Sequence, residues 1–163
     1  MALETENKGP LAGYRVVDLT RIVLGPLASQ MLGDLGADVI KVEEPAGDLA
    51  RAIGTTRNAG MASCFLNCNR NKRSICLDLK QPEGLAAMLD LVKTADVFIH
   101  ALRPQAVRKL GIAYEDLKAV NPNLVYVGAY GFSESGPYGH KTAFDDIIQA
   151  ASGGASIQGT LLD

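Results

Sequence analysis

The feature that most constrains the fold is a repeated change of hydrophobic period. Short apolar runs alternate with segments whose apolar residues recur at helical spacing. Tyr14-Arg15-Val16-Val17-Asp18-Leu19 predicts a strand. Gly25-Pro26 then opens a helix, since the missing N–H of Pro26 costs nothing in a first turn. Leu27, Met31 and Leu35 fall on one face of that helix, and Gly36 stops it. Val39-Ile40-Lys41-Val42 predicts a second strand. This is a β-α-β unit, whose crossover makes the two strands parallel.

From Glu43 to Arg73 the period is lost and Gly, Asn and Arg accumulate, which predicts a long excursion with one short helix. A stretch of this length inside a compact domain is usually functional. Ser74 to Leu79 predicts the next strand, and Pro82 opens a helix carrying Leu85, Met88, Leu89 and Val92 at i, i+3, i+4 and i+7. Asp96 to His100 and Leu124 to Tyr130 predict two more strands. Between them, helices run from Pro104 to Gly111 and from Tyr114 to Val120. Gly131 to Thr142 reads as a loop and Ala143 to Ala151 as a helix. The fold class is therefore α/β, a Rossmann-like doubly wound parallel sheet, whose ligands bind outside the carboxyl ends of the strands. Residues 1–10 are expected to be flexible and residues 11–163 to form the α/β domain. The Gly-rich Ser152-Gly153-Gly154 precedes a chain end with no expected packed element, so the domain is expected to be truncated there.

Charge and apolar length exclude several functions. The net charge is −2, from 16 basic and 18 acidic residues, whereas nucleic-acid binding favours a basic surface. No apolar run approaches the roughly 20 residues of a membrane span, and the start lacks the features of a signal peptide. A cytoplasmic protein is expected. Cys64, Cys68 and Cys76 are an odd set in such a chain and are read as free thiols. Cys64 and Cys68 with His100 match no zinc spacing, so no metal is expected.

The motifs are weighed in the same way. The turn after the first strand, Thr20 to Pro26, has one glycine where a dinucleotide turn needs three, which disfavours an oxidoreductase. Gly131-Phe132-Ser133-Glu134-Ser135-Gly136 has Ser135 where a nucleophile elbow needs glycine. His100 and His140 are read as solvated or satisfied. The run Asn69-Arg70-Asn71-Lys72-Arg73 is either a solvated turn or an anion site, because Arg forks and a Lys charge suit phosphates.

Taken in order, these segments resemble the family III CoA-transferases of the CaiB/BaiF class. Leu11 to Arg21 is similar to the family's opening, and Leu35-Gly36-Ala37-Asp38-Val39-Ile40-Lys41-Val42-Glu43 to its next signature. Asn69 to Ser74, Leu77-Asp78-Leu79-Lys80 and Pro82-Glu83-Gly84 resemble its middle block. Arg103-Pro104, Leu110-Gly111, Asn121-Pro122, Ser135-Gly136-Pro137-Tyr138 and Phe144-Asp145 continue it. The resemblance runs from about residue 11 to the end.

It implies an enzyme that moves coenzyme A between carboxylic acids, with acyl-CoA and a carboxylic acid as substrates and no metal or redox cofactor. It implies an aspartate nucleophile that forms an acyl anhydride and then an aspartyl-CoA thioester. That aspartate is expected beyond Asp163, so no catalytic residue is assigned here. Alone, the chain is expected to be inactive, and the full-length form to be an interlocked homodimer. The CoA contacts implied are Arg21, Ile22 and Val23 after the first strand, then Leu77, Ala101, Leu102 and Lys109. Arg70, Lys72 and Arg73 are added from the basic run. Ala101 and Gln105 depart from the Asn and Gly usual around Arg-Pro. Glu44 stands where some relatives carry an arginine near the phosphates. Phe144 replaces the histidine of the racemase branch and cannot transfer a proton. The alternatives are a non-catalytic CoA-binding or oligomerisation module and, less favoured, a racemase or a nucleotide-dependent oxidoreductase.

Overall fold

The computed structural model describes residues 9–162. The expected flexible segment 1–10 lies almost wholly outside them. The chain divides into two compact units, Met1–Ala129 and Tyr130–Asp163.

The first unit holds five strands: β1 Arg15–Leu19, β2 Asp38–Glu43, β3 Lys72–Cys76, β4 Val97–His100 and β5 Val125–Gly128. All neighbours pair in parallel, in the order β3-β2-β1-β4-β5. The chain starts in the middle of the sheet, builds outward through β2 and β3, then crosses back to lay β4 on the other side of β1. Such a reversal of strand order opens a crevice at the carboxyl ends.

Helices α1 Leu24–Asp34, α2 Ser63–Cys68, α3 Pro82–Lys93, α4 Pro104–Leu110 and α5 Tyr114–Val120 cover the sheet and its connections. A 3-10 turn, Leu49–Ala52, precedes α2. Helix α3 follows its predicted pattern. Met88 and Val92 are fully buried in one core with Val17, Phe98, Ile112 and Leu117, and Leu85 and Leu89 pack against it. Gly111 takes the left-handed conformation that ends α4, where a side chain would be strained.

Three details differ from the sequence reading. Strand β3 begins at Lys72, two residues earlier than expected, and ends at Cys76, because Lys72 pairs with Val39 at the start of β2. Helix α1 turns its polar side inward. Ser29, Gln30 and Gly33 are buried, while Leu24, Leu27, Met31 and Leu35 are exposed. The cause is a buried carboxylate, Asp18, that needs hydroxyl and ammonium partners from this side. Finally, a helix, α7 Gly154–Leu162, occupies the end of the chain, where no packed element was expected.

The second unit contains the loop after β5, helix α6 Asp145–Ala151 and α7. Phe132 meets Tyr138 edge to face at 5.6 Å, and Lys141 lies over the Tyr138 ring. Helix α6 buries none of its residues. Among the described residues no helix is long and apolar enough to cross a membrane.

Candidate functional site: a cleft at the carboxyl ends of the strands

The loops that leave β1, β2, β3 and β4 converge on a cleft of about 200 Å³. Leu19, Val42, Leu77, Leu79, Leu102 and Leu110 give it apolar walls. Arg21, Glu44, Asp78 and Lys80 supply polar groups. The position follows from the topology, since parallel strands deliver all their following loops to one end.

A buried polar network runs behind the cleft, and Thr20, Glu43 and Asp48 are its members in the lining. Asp18, at zero exposure, accepts from the Thr20 N–H at 2.9 Å, the Thr20 hydroxyl at 2.5 Å, the Ser29 hydroxyl at 2.6 Å and Lys72 Nζ at 3.0 Å. Gly25 allows this approach, since a Cβ there would lie 2.4 Å from the Thr20 side chain. Lys41 Nζ bonds the Thr20 carbonyl at 2.9 Å and Asp48 at 3.0 Å, with both charged groups about 1% exposed. Glu43 takes a two-point contact from Arg51, at 2.7 Å for each nitrogen, and a bond from the Ser74 hydroxyl. Burial pushes the Glu43 carboxyl up. Arg51, Ser74 and the Asp48 N–H overcome that and hold it at about 2. Arg51 is itself stacked on Phe65, 3.7 Å from the ring centre. Each buried charge is thus paired and hydrogen-bonded, as low-dielectric surroundings require.

The predicted site residues divide into two groups. Arg21, Leu77 and Leu102 line the cleft. Ile22 and Val23 follow Arg21 on the same turn and are exposed. Ala101, also exposed, directly precedes Leu102, and Lys109 directly precedes the cleft residue Leu110. Arg21 is held by Glu44 at 2.7 Å.

Arg70, Lys72 and Arg73 stand elsewhere, beside the amino end of β3, and each has a structural partner. Arg70 pairs with Asp34 at 2.5 Å and Arg73 with Asp38 at 2.7 Å. Lys72 is buried and bonds Asp18, the Pro26 carbonyl at 2.7 Å and the Asn69 side chain at 2.8 Å. Burial pulls its ammonium below the usual lysine range, against the pull of Asp18. Lys72 therefore has no donor aimed at the cleft, and each cation of the basic run is engaged in an ion pair. The earlier start of β3 is the reason. It puts these residues level with the beginning of β2, at the opposite end of the sheet from the cleft.

Sequence reasoning also passed over two cleft residues. Lys80 lines the cleft, is exposed, and carries no ion pair among the described residues. The signal was present, because a basic residue three positions after Leu77 sits on a loop that follows a strand. Asp48 gave no local signal. Its role comes from Lys41 and Ile22, which are 7 and 26 positions away.

His100, at the end of β4, is fully buried, and its Nδ1 accepts the Leu102 N–H at 3.2 Å. It rests against the Phe98 and Tyr126 rings. Burial lowers its pKa to about 4, so the ring is neutral at pH 7. The three cysteines are free, with Cys64 and Cys68 on α2.

Comparison with known proteins places the chain in a family. The model of CoA-transferase family III matches residues 11–161. Succinate–glutarate CoA-transferase of Agrobacterium fabrum is 45% identical over 94% of the chain. Succinyl-CoA:glutarate CoA-transferase of mouse is 39% identical over 96%. A crystal structure of a CAIB/BAIF family protein from Brucella suis superposes with a TM-score of 0.85 at 44% identity, covering 89% of this chain and 39% of that one. The chain spans about 40% of the length of the Agrobacterium relative. With the family model matching nearly the whole chain and the same fold in a structure of the CaiB/BaiF class, the chain belongs to CoA-transferase family III.

Proposed function

We propose that this chain is the CoA-binding portion of an acyl-CoA:carboxylate CoA-transferase. The observation that carries the reading is the cleft itself, apolar-walled and carrying Arg21 and Lys80 beside Glu44 and Asp78, at the carboxyl ends of a sheet whose strand order reverses beside it. Its volume is below the roughly 300–1,000 Å³ of pockets that enclose a whole drug-sized ligand. It suits one end of CoA, with the remainder lying along the exposed turn Arg21 to Val23.

Lys80 and Arg21 are the cations for the phosphates. Lys80 needs no rearrangement. Arg21 must exchange Glu44 for a phosphate, but a half-exposed ion pair holds by only about 0–1 kcal/mol, so that exchange is cheap. Lys109 stands next to the cleft wall and adds a third charge. Leu19, Leu77 and Leu102 offer apolar surface to the base.

The chemistry proposed for the whole enzyme is covalent exchange. An aspartate carboxylate attacks the thioester carbonyl, and the C–S bond breaks to release CoA thiolate and leave a mixed anhydride. The thiolate then attacks the aspartyl carbonyl, expelling the first acid as its carboxylate. The incoming carboxylate attacks this aspartyl thioester, and the released thiolate takes the new acyl group. No water is consumed, and the aspartate is regenerated. That aspartate is sought in the part of the family's length that this chain does not span. Phe144 has no proton to give, which favours transfer over racemisation. Glutarate-class dicarboxylates are the first acceptors to assay, since the two relatives above are named for them. A homodimer of the full-length protein remains part of this reading.

The test is calorimetric titration of CoA into the chain. Lys80→Ala should weaken binding by about 1.5–3 kcal/mol, the scale of a charged hydrogen bond. Arg73→Ala should leave affinity unchanged. Equal affinities for Lys80→Ala and the unaltered chain would remove the cleft from consideration.

A further inference from the structure

We propose that Asp48 is a positioning residue for this cleft, which clamps the turn after β1 in a conformation that Ile22 would not hold alone. The inference rests on the CoA reading of the cleft.

Ile22 has φ +69°. A β-branched residue there is a genuine outlier, because its Cβ crowds the backbone. Such a conformation persists only where the surroundings enforce it, and it is met most often at ligand-binding and active sites. The enforcing group is identifiable. The Ile22 N–H points at the Asp48 carboxylate, 3.1 Å from Oδ1 and 3.4 Å from Oδ2. The same carboxylate accepts the Ala50 N–H at 2.9 Å and Lys41 Nζ at 3.0 Å. Lys41 continues to the Thr20 carbonyl. The Asp48 N–H is tied to Glu43 at 3.1 Å, and Glu43 to Arg51. Apart from Ile22, two donors thus hold the carboxylate and Glu43 holds its backbone, so that it acts as a rigid acceptor.

The turn is held on its other side as well, through the Thr20 N–H and hydroxyl on Asp18. Thr20 and Ile22 are thus pinned by two different carboxylates, and Arg21 lies between them. The backbone direction at Arg21 is consequently not free, and its side chain departs toward the cleft and Glu44. If Ile22 relaxed to negative φ, its N–H would swing away from Asp48 and Arg21 would lose its aim. The clamp makes the turn ready for a ligand before the ligand arrives, which removes an ordering cost from binding. Asp48 acts through Ile22 and Arg21 and need not touch CoA.

The experiment must separate positioning from ordinary stability. Breaking a buried pair on one side would strand the other charge. Both partners are therefore replaced together, as Lys41→Met/Asp48→Leu and Lys41→Met/Asp48→Asn. The first gives the Ile22 N–H no acceptor, and the second keeps one side-chain oxygen. Urea unfolding records their stability difference, and CoA affinity is compared under conditions where both are fully folded. CoA affinity, measured by calorimetry, should fall about tenfold or more in the Leu variant, as loss of one hydrogen bond to a charge allows, and recover in the Asn variant. Equal CoA affinity in the two variants overturns the proposal. A second readout uses the unaltered protein and no ligand. The Ile22 amide should be protected from hydrogen exchange, and free exchange there overturns the clamp even if neither variant folds. An unaltered chain that binds no CoA but protects Ile22 would refute the CoA reading and leave the clamp standing.

Discussion

Lowering the pH from 7 should destabilise this chain first through His100. The ring is fully buried, its Nδ1 accepts from Leu102, and its pKa of about 4 lies below the ordinary 6.5. Between those values the unfolded chain binds a proton that the native chain refuses. Stability is therefore unaffected above pH 6.5, falls as the pH drops through the window, and levels off near pH 4. At 1.36 kcal/mol per pH unit the whole window costs about 3 kcal/mol, with about 2 to 3 kcal/mol lost by pH 4.5. That is a large share of the roughly 5–15 kcal/mol available to a typical domain. Glu43 acts in a separate and lower window. Its carboxyl at about 2, against an ordinary 4.5, gives stability that disappears only as the pH falls through 4.5 toward 2. The interval from 6.5 to 4.5 therefore reports His100. Urea unfolding at half-unit steps across it should show the slope in the unaltered chain. His100→Asn, which retains an oxygen near the position of Nδ1 but cannot titrate, should show a nearly flat line, whatever its overall stability. An identical slope in the two proteins, or a native imidazole titrating near 6.5 by NMR, would refute the reasoning.

Adjacent residues of β3 should respond to loss of charge to very different degrees. Lys72→Met leaves Asp18 buried without its cation and should cost about 3–5 kcal/mol in urea unfolding. Arg73→Ala removes an exposed pair and should cost less than about 1 kcal/mol in the same assay. Met88→Ala should lower stability by about 2–5 kcal/mol, because the side chain is fully buried in the main core, and differential scanning calorimetry would show the loss.

The sequence by itself determined the α/β order and the parallel sheet. Those follow from local periods, from the prolines that open α3 and α4, and from Gly111 that ends α4, all of which act within a few residues. It also determined that a cleft would lie at the carboxyl ends of the strands, which is a matter of connectivity, and the ordered motifs carried the family. The tertiary structure decided which charges line the cleft and which are held in ion pairs elsewhere. Arg70, Lys72 and Arg73 were read as phosphate cations and Lys80 was not, yet the fold set the first three against Asp34, Asp18 and Asp38 and left Lys80 lining the cleft. It decided, too, that α1 would bury Ser29 and Gln30 and expose Leu24, Leu27 and Met31, because Asp18 required partners there. The pairing of Ile22 with Asp48 belongs to the same class. Hydrophobic period is written along the chain, but a charge takes its energy from whatever the fold brings within about 3 Å of it, and that distance is set by residues far away in sequence.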